Sequence, residues 1–321
     1  MFREYDFHYI RTIGTGTFSR VYAVKHKINR KYFAIKCMDK RMLLKKRQIE
    51  NIFNEKNILQ KCWGCPFIVK LYDIIVTENK YLMIFNYVSG GELFTWLKHF
   101  ERFDIDAARF YTSELVLALE YLHDKGIAYR DLKPENILLN ASGHIVLTDF
   151  GFARYINKVN YEPCGTPDYM APELLGKNGH NLQVDCWALG IVVYEMVVGS
   201  PPFHDSSNYE IYKNILSKKL IKPRGYFLKE KGRACYEFIS WLINREIKKR
   251  PISAKAMKTH RWFKGVDWVK VSKLECTPPI KPYMKYEGDT NNYPLYPEDD
   301  LENLMDKQLH ESKPIHFRFI K

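Results

Sequence analysis

Hydrophobic residues keep one rhythm up to about residue 85 and a different one after it. "YIRTIGTGTFSRVYAVKHK" reads as two strands joined by a glycine turn. "KYFAIKCMDK" is a third strand, with Phe33 and Ile35 on one face. "FIVKLYDIIVTENKYLMIFNYV" supplies two more, joined by a polar turn at Thr77 to Lys80. One helix interrupts them: "QIENIFNEKNILQK" repeats apolar residues at 49, 52, 53, 58 and 59. Beyond "NYVSGGE" the rhythm turns helical. "DAARFYTSELVLALEYLHDKG" predicts a helix capped by Asp106 and stopped by Gly126. "CWALGIVVYEMVVG" is apolar on all sides and predicts a buried helix. Further helical stretches fall near 207–217 and 233–243. A strand-rich front and a helix-rich back predict an α+β fold of two lobes. Ser89, Gly90 and Gly91 read as a flexible strap between them. The expected division is a small lobe over 1–88, a larger lobe over 89–263, and a proline-rich tail over 264–321.

The chain has 321 residues, 46% hydrophobic and 27% charged, enough for two packed lobes and too apolar for a disordered chain. Its net charge of +13 would attract anionic partners. The basic residues are dispersed, and the densest run, "KRMLLKKRQ", reads as a solvated helix face, which does not favour a nucleic-acid partner. Seven cysteines and an N-terminus without an apolar leader point to thiols in a reducing compartment. "CWGC" lacks the second pair or the histidines that zinc needs, so Cys62 and Cys65 read as loop cysteines. The longest apolar run is too short for a membrane span and contains Glu195. Phe2 stands where N-myristoylation requires glycine. The location expected from these features is cytoplasmic, with the nucleus as a second site.

"GTGTFSRV" puts Gly14 and Gly16 in a strand-turn-strand, whose N–H groups can hold phosphate oxygens. Any tight hairpin would look similar; a dinucleotide fingerprint would need a helix directly after it, and a strand follows. "FAIK" sets Lys36 on a strand, and Glu55 follows on the helix. A lysine turned into a cleft needs such a carboxylate. Separately, each would read as a surface charge. "YRDLKPENILL" and "TDFG" then bring Asp131, Lys133, Asn136 and Asp149 into a compact spacing. A carboxylate can orient an attacking hydroxyl, and a lysine can neutralise a moving phosphoryl group. An amide and a second carboxylate supply hard oxygen ligands for Mg²⁺. "APE" at 171–173 closes the segment.

In this order the pieces form the protein-kinase signature. Residues 7–263 resemble a eukaryotic-type serine/threonine kinase of the basophilic group that carries a C-terminal tail. "YRDLKPEN", "DFGFA", "CGTPDYMAPE", "HRWFKGVDW" and "GDTNNYPLYPEDD" are most similar to catalytic subunits of cAMP-dependent protein kinase. The resemblance implies a bilobal kinase fold that uses ATP and Mg²⁺, with a tail passing over the nucleotide pocket, where Tyr293 and Tyr296 match its aromatic positions. It implies that Asp131 is the catalytic base and that Lys133 contacts the γ-phosphate. Thr166 would hydrogen-bond both, and Asn136 and Asp149 would hold the metal. Ile13, Gly14, Thr15, Gly16, Thr17, Phe18, Ser19, Arg20 and Val21 would line the nucleotide's phosphates and base. Lys36, clamped by Glu55, would orient the α and β phosphates. Val21, Ala34 and Leu138 would sandwich the adenine, the Asn86 to Val88 backbone would read its edge, and Phe85 stands at the gatekeeper place. Glu173 and Arg250 match a structural ion pair, and Asp185 an anchor for the catalytic loop. Glu92, Glu135 and Glu195 match acids that receive arginines upstream of the phosphoacceptor, which implies protein substrates of an Arg-Arg-x-Ser/Thr type. An inhibitory, cyclic-nucleotide-binding regulatory subunit is the implied partner, packing near the activation loop and the helix that holds Tyr212.

The chain departs from the pattern in several places. The phosphate loop's third glycine is Ser19, which predicts a weaker or less mobile grip. The closing aromatic pair of the tail is broken: "HFRFIK" offers Phe317 and Ile320, with Phe319 between. Between Phe150 and Pro172 the only hydroxyl residue other than tyrosine is Thr166. The activation threonine's place falls on Glu162, and the tail's turn phosphosite near Leu304. Glu162 carries a permanent charge where a phosphate would sit. Its expected receivers are Arg130 and Arg154, with Asn51 as an uncharged third donor. Tyr161 replaces a tryptophan of the docking surface. The alternative from another class is a folded scaffold that binds partners without catalysis, supported by Ser19, Glu162 and the absent phosphosites.

Overall fold

The small lobe follows from alternation along its strands. The computed structural model describes residues 2–16, 19–45, 48–156, 164–176, 179–223, 227 and 229–298. Strands β1 (Phe7–Thr15), β2 (Ser19–His26) and β3 (Tyr32–Asp39) run antiparallel. Phe33 and Ile35 are buried on one face of β3, so Ala34 and Lys36 are left to face the other way. Helix α1 (Lys40–Lys45) buries only Leu43, and helix α2 (Ile49–Lys61) buries Ile52, Glu55, Ile58 and Leu59. Phe53, expected on the apolar face of α2, is instead exposed, its ring 6.5 Å from that of Tyr81. Strands β4 (Leu71–Val76) and β5 (Lys80–Asn86) complete a sheet in the order β1-β2-β3-β5-β4. The turn at Thr77 to Lys80 closes with Thr77 N–H donating to the Lys80 carbonyl at 3.0 Å.

Helices then take over. They are α3 (Leu93–Phe100) and α4 (Ile105–His123), followed by the short strands β6 (Ile127–Ala128), β7 (Ile137–Leu139), β8 (Ile145–Leu147) and β9 (Arg154–Tyr155). Asp106 does not cap α4. Asp104 does, accepting from the Ala107 N–H at 2.7 Å, while Asp106 pairs with Lys231 at 2.8 Å. Both acids sit within one turn of the helix start, and only the carboxylate before the first helical residue can reach the free N–H groups. Helix α5 (Gln183–Val198) is buried from Gln183 to Val197, which its all-round apolar surface requires. α6 (Asn208–Ser217) lies against the turns Pro167–Tyr169 and Pro172–Leu174, α7 (Glu230–Leu242) packs on α5, and α8 (Ala254–Met257) and α9 (Trp268–Ser272) pack on α4. Glu173 and Arg250 meet in two bonds of 2.7 Å. No helix among the described residues is long and apolar enough to cross a membrane. Cys62 and Cys65 are buried, which pushes their thiols up to about 12 and about 11. No group of three or more His, Cys, Asp or Glu side chains that could hold a metal forms among the described residues.

The strap between the lobes is held, not loose. The Gly90 N–H donates to the Leu139 carbonyl at 2.9 Å, and Leu139 N–H donates to the Gly91 carbonyl at 2.9 Å. A Cβ on Gly90 would stand 2.4 Å from the Leu139 oxygen and 2.7 Å from Pro282. One on Gly91 (φ +74°) would stand 2.1 Å from the Asn292 oxygen. These glycines are required for close backbone approach, not for motion.

From Ile280 onward the chain crosses back to the small lobe. Tyr87 donates its hydroxyl to the Asp289 carbonyl at 2.6 Å. The Arg11 guanidinium donates to Thr290 Oγ1 (2.8 Å) and to the carbonyls of Thr290 (2.6 Å), Tyr293 (2.9 Å) and Pro294 (3.0 Å). Glu298 accepts from the N–H and hydroxyl of Thr12 at 2.8 and 2.7 Å. Leu304, Phe317, Phe319 and Ile320 lie outside the described residues.

Candidate active site

A cavity of about 180 Å³ opens between the lobes. Ile13, Gly14, Thr15, Gly16, Ser19 and Val21 line it from β1 and β2, with Ala34 and Lys36 from β3. Phe85, Asn86 and Val88 form its back, Leu138 its floor, and Asn136, Asp149, Glu55, Glu92 and Glu135 its polar end. Thr17 and Phe18 lie outside the described residues. Arg20 does not turn toward the cavity. Its guanidinium reaches the Pro297 carbonyl at 2.6 Å and Thr12 Oγ1 at 3.3 Å, so it holds the tail. Ser19 keeps the loop closed, its carbonyl accepting from Gly16 N–H at 2.7 Å.

Lys36 reaches the cleft because β3 has committed its odd-numbered neighbours to the core. Its ammonium lies 3.2 Å from Glu55 Oε1 and 2.9 Å from Asp149 Oδ1. Burial lowers the Lys36 pKa, but Asp149 and Glu55 more than offset it, so the lysine stays charged. Lys36 in turn pulls Asp149 below the usual carboxylate range. α2 is docked to the segment after Asp149 by Asn54, whose Nδ2 donates to the Ala153 carbonyl at 2.7 Å.

The loop after β6 is set by one buried carboxylate. Asp185 accepts from the backbone N–H groups of Tyr129 and Arg130, both at 2.8 Å. Arg130 takes φ +68° and Asp149 φ +53°, left-handed values that cost non-glycine residues about 1–3 kcal/mol and persist only where neighbours enforce them. Asp131 is thereby turned onto a compact network. Thr166 Oγ1 donates to its Oδ1 at 2.9 Å, Lys133 Nζ lies 3.1 Å from its Oδ2, and Asn136 Nδ2 donates to Oδ2 at 2.8 Å. Lys133 also donates to Thr166 at 2.7 Å. Burial raises the Asp131 pKa against the pull of Lys133.

The arginines expected to receive Glu162 both grip the backbone just past Asp149. Arg130 Nε donates to the Phe152 carbonyl at 2.7 Å, and its Nη1 lies 3.1 Å from His180 Nε2. Arg154 donates to the carbonyls of Gly151 and Ala153 at 2.9 and 2.8 Å. Asn51 differs from expectation: its Oδ1 accepts from Arg154, so it serves as an acceptor there. Glu162 and Tyr161 lie outside the described residues.

Glu92 and Glu135 line the cavity, and Glu195 accepts from the Tyr169 hydroxyl at 2.6 Å. Burial, then Glu135, pushes Glu92 up to about 7. Burial likewise brings Glu195 to about 7. Glu135 Oε2 is buried with no hydrogen-bond partner among the described residues.

Val69 and Thr148 also line the cavity, and neither was expected. Thr148 precedes Asp149 directly, so its place beside the motif is a usable signal; Val69 lies in an apolar run with nothing to single it out.

The protein kinase domain family model matches residues 7–263. The human and mouse proteins named cAMP-dependent protein kinase catalytic subunit PRKX are each 42% identical to the chain. The matches cover 92% of this chain and 82% of the human protein, and 96% and 87% for the mouse one. The Dictyostelium discoideum cAMP-dependent protein kinase catalytic subunit is 39% identical over 92% of this chain. The chain spans about half the length of that protein and of a Drosophila melanogaster relative.

Proposed function

The chain belongs to the protein kinase family, within the serine/threonine kinases similar to cAMP-dependent catalytic subunits, and from that premise we propose that it transfers the γ-phosphate of ATP to serine or threonine in proteins. The observation that carries this reading is the meeting of Asp131, Lys133, Asn136 and Thr166 in one network, at the end of the cavity that Lys36 and Asp149 enter. Asp131 would orient the hydroxyl and accept its proton. Lys133 would neutralise charge on the moving phosphoryl group, and Lys36 would hold the α and β phosphates. The donor set fits Mg²⁺. Asn136 spends its amide nitrogen on Asp131, which leaves its oxygen for a metal, and Asp149 adds a carboxylate half-exposed to the cavity. A Mg²⁺ ion held there would offset charge on the phosphate oxygens. A non-catalytic scaffold would need neither the strained Arg130 and Asp149 backbones nor a charged Lys36 aimed into the cleft. The deciding experiment is a phosphate-transfer assay on bacterially expressed, unphosphorylated chain with an Arg-Arg-x-Ser peptide; no transfer would reject the reading.

Glu92, Glu135 and Glu195 are the proposed receivers of the substrate arginines. Arginine binds the ionised carboxylate, and two of these acids titrate near 7. At pH 6 each must first lose a proton, whereas at pH 8 it is already charged. KM for the arginine peptide is therefore expected to fall by roughly tenfold or more between pH 6 and pH 8. A peptide with alanines at those positions should show no such trend, and a flat KM for both would remove the assignment.

Glu162 is proposed to keep the activation segment ordered without phosphate, through Arg130 and Arg154. Glu162→Ala is expected to lower kcat severalfold in unphosphorylated protein, and full activity in that variant would sink the idea. The relatives' names add a regulatory partner as a proposal. The apolar groove formed by Leu174, Leu175, Tyr209, Tyr212 and Leu216, with Tyr209 and Leu216 exposed, is the surface it would meet.

A further inference from the structure

The segment that leads into α5 grips Arg130 twice. Asp185 Oδ1 accepts from its backbone N–H at 2.8 Å, and His180 Nε2 lies 3.1 Å from its Nη1. Arg130 and His180 are each 4% exposed. The direction of the second bond is fixed by chemistry. A guanidinium has N–H donors, no acceptor, and keeps its proton in a protein. Arg130 therefore donates, and His180 Nε2 must offer a lone pair. The ring then carries its hydrogen on Nδ1 and is neutral. A protonated ring would have no acceptor to offer and would set a second buried cation 3.1 Å from the first.

The anchor is firm. Asn181 Oδ1 accepts from the Gln183 N–H at 2.8 Å, and Gln183 Nε2 donates to the Ile247 and Pro251 carbonyls at 3.0 and 3.1 Å. The residue it holds is under strain. Arg130 takes φ +68° and directly precedes Asp131. A left-handed backbone relaxes unless its neighbours enforce it. The same guanidinium donates through Nε to the Phe152 carbonyl at 2.7 Å, so the grip extends to the segment after Asp149. Histidine suits this place, because a neutral acceptor orients the guanidinium without cancelling its charge, as a carboxylate would.

We propose that His180 is a positioning residue for the catalytic loop. As a neutral acceptor it fixes the Arg130 guanidinium, and through Arg130 it keeps Asp131 turned onto Thr166 and Lys133. Neither His180 nor Arg130 is among the residues lining the nucleotide cavity, so the effect falls on kcat and not on ATP affinity. The inference rests on the proposed kinase activity.

The test has two arms, both on the full chain. Transfer to the arginine peptide is compared among wild type, His180→Gln and His180→Leu. The glutamine Oε1 can accept where Nε2 did, and leucine offers no acceptor. His180→Leu should lower kcat about tenfold with the ATP dissociation constant unchanged, while His180→Gln stays within about twofold of wild type. Equal losses in the two variants would overturn the proposal, as would no loss in the leucine variant. The second arm needs no turnover. Nitrogen NMR on isotope-labelled histidine in wild-type protein, with the His180 signal identified by its absence in His180→Gln, should show at neutral pH an uncharged ring protonated at Nδ1. A charged ring, or a proton on Nε2, would overturn the proposal even where the leucine variant fails to fold. An Nδ1-protonated ring in a protein that transfers no phosphate would reject the kinase reading and bear out the His180 acceptor.

Discussion

Asp131→Asn is expected to lower kcat for an arginine-containing peptide by about 10²–10⁴-fold, the span typical of removing a positioned general base. The substitution keeps the shape of the side chain but leaves one acceptor oxygen where Thr166 and Lys133 use two, and it removes the carboxylate proposed to take the hydroxyl's proton. Asp131 is not among the residues lining the nucleotide cavity, so ATP binding should change little. The signature is a collapse of kcat at near-constant ATP affinity, read by steady-state kinetics and calorimetry. Equal losses in both would mean that the asparagine had disturbed the loop held by Asp185, and an unchanged kcat would remove Asp131 from the mechanism.

The largest expected effect on stability lies away from the cavity. Arg250→Ala should reduce the unfolding free energy by about 3–5 kcal/mol, seen as a lower denaturation midpoint in guanidinium chloride. The Arg250 side chain is fully buried, and that of Glu173 is 5% exposed. The guanidinium also donates to the Asn244 and Gln183 carbonyls and lies 5.1 Å over the Trp187 ring. Removing it strands a buried carboxylate together with two carbonyls. Replacing both charges, as Glu173→Leu with Arg250→Met, should recover part of the loss, because no unpaired charge remains. A shift below about 1 kcal/mol for Arg250→Ala would show that water reaches Glu173.

The strands, α2, α5 and the Asp131 to Asp149 constellation could be read from the sequence because each depends on near neighbours in the chain or on a tight spacing. Choosing Asp104 over Asp106 was not legible, since both acids fit a capping pattern and the helix start is only loosely marked. Gly90 and Gly91 suggested looseness, as paired glycines do in isolation; what makes them necessary is Leu139, Pro282 and Asn292, all distant in sequence. Arg20 and Arg11 were invisible as tail anchors for the same reason. Their partners lie more than 270 residues away and are mostly backbone carbonyls, which carry no signature in the residue letters.

The strap also changes where the two lobes can turn against each other. Peptide units 88–91 are bonded on one side to β7 and on the other to the tail, so rotating them would break both sets of bonds together. Tyr87, one residue earlier, is tied to the tail as well, through its hydroxyl on the Asp289 carbonyl. Opening the cleft therefore means lifting the tail off the small lobe or carrying it along. In either case the tail behaves as a third moving part of the joint, and the time a nucleotide stays bound becomes a measure of how firmly Arg11 and Glu298 hold that part down.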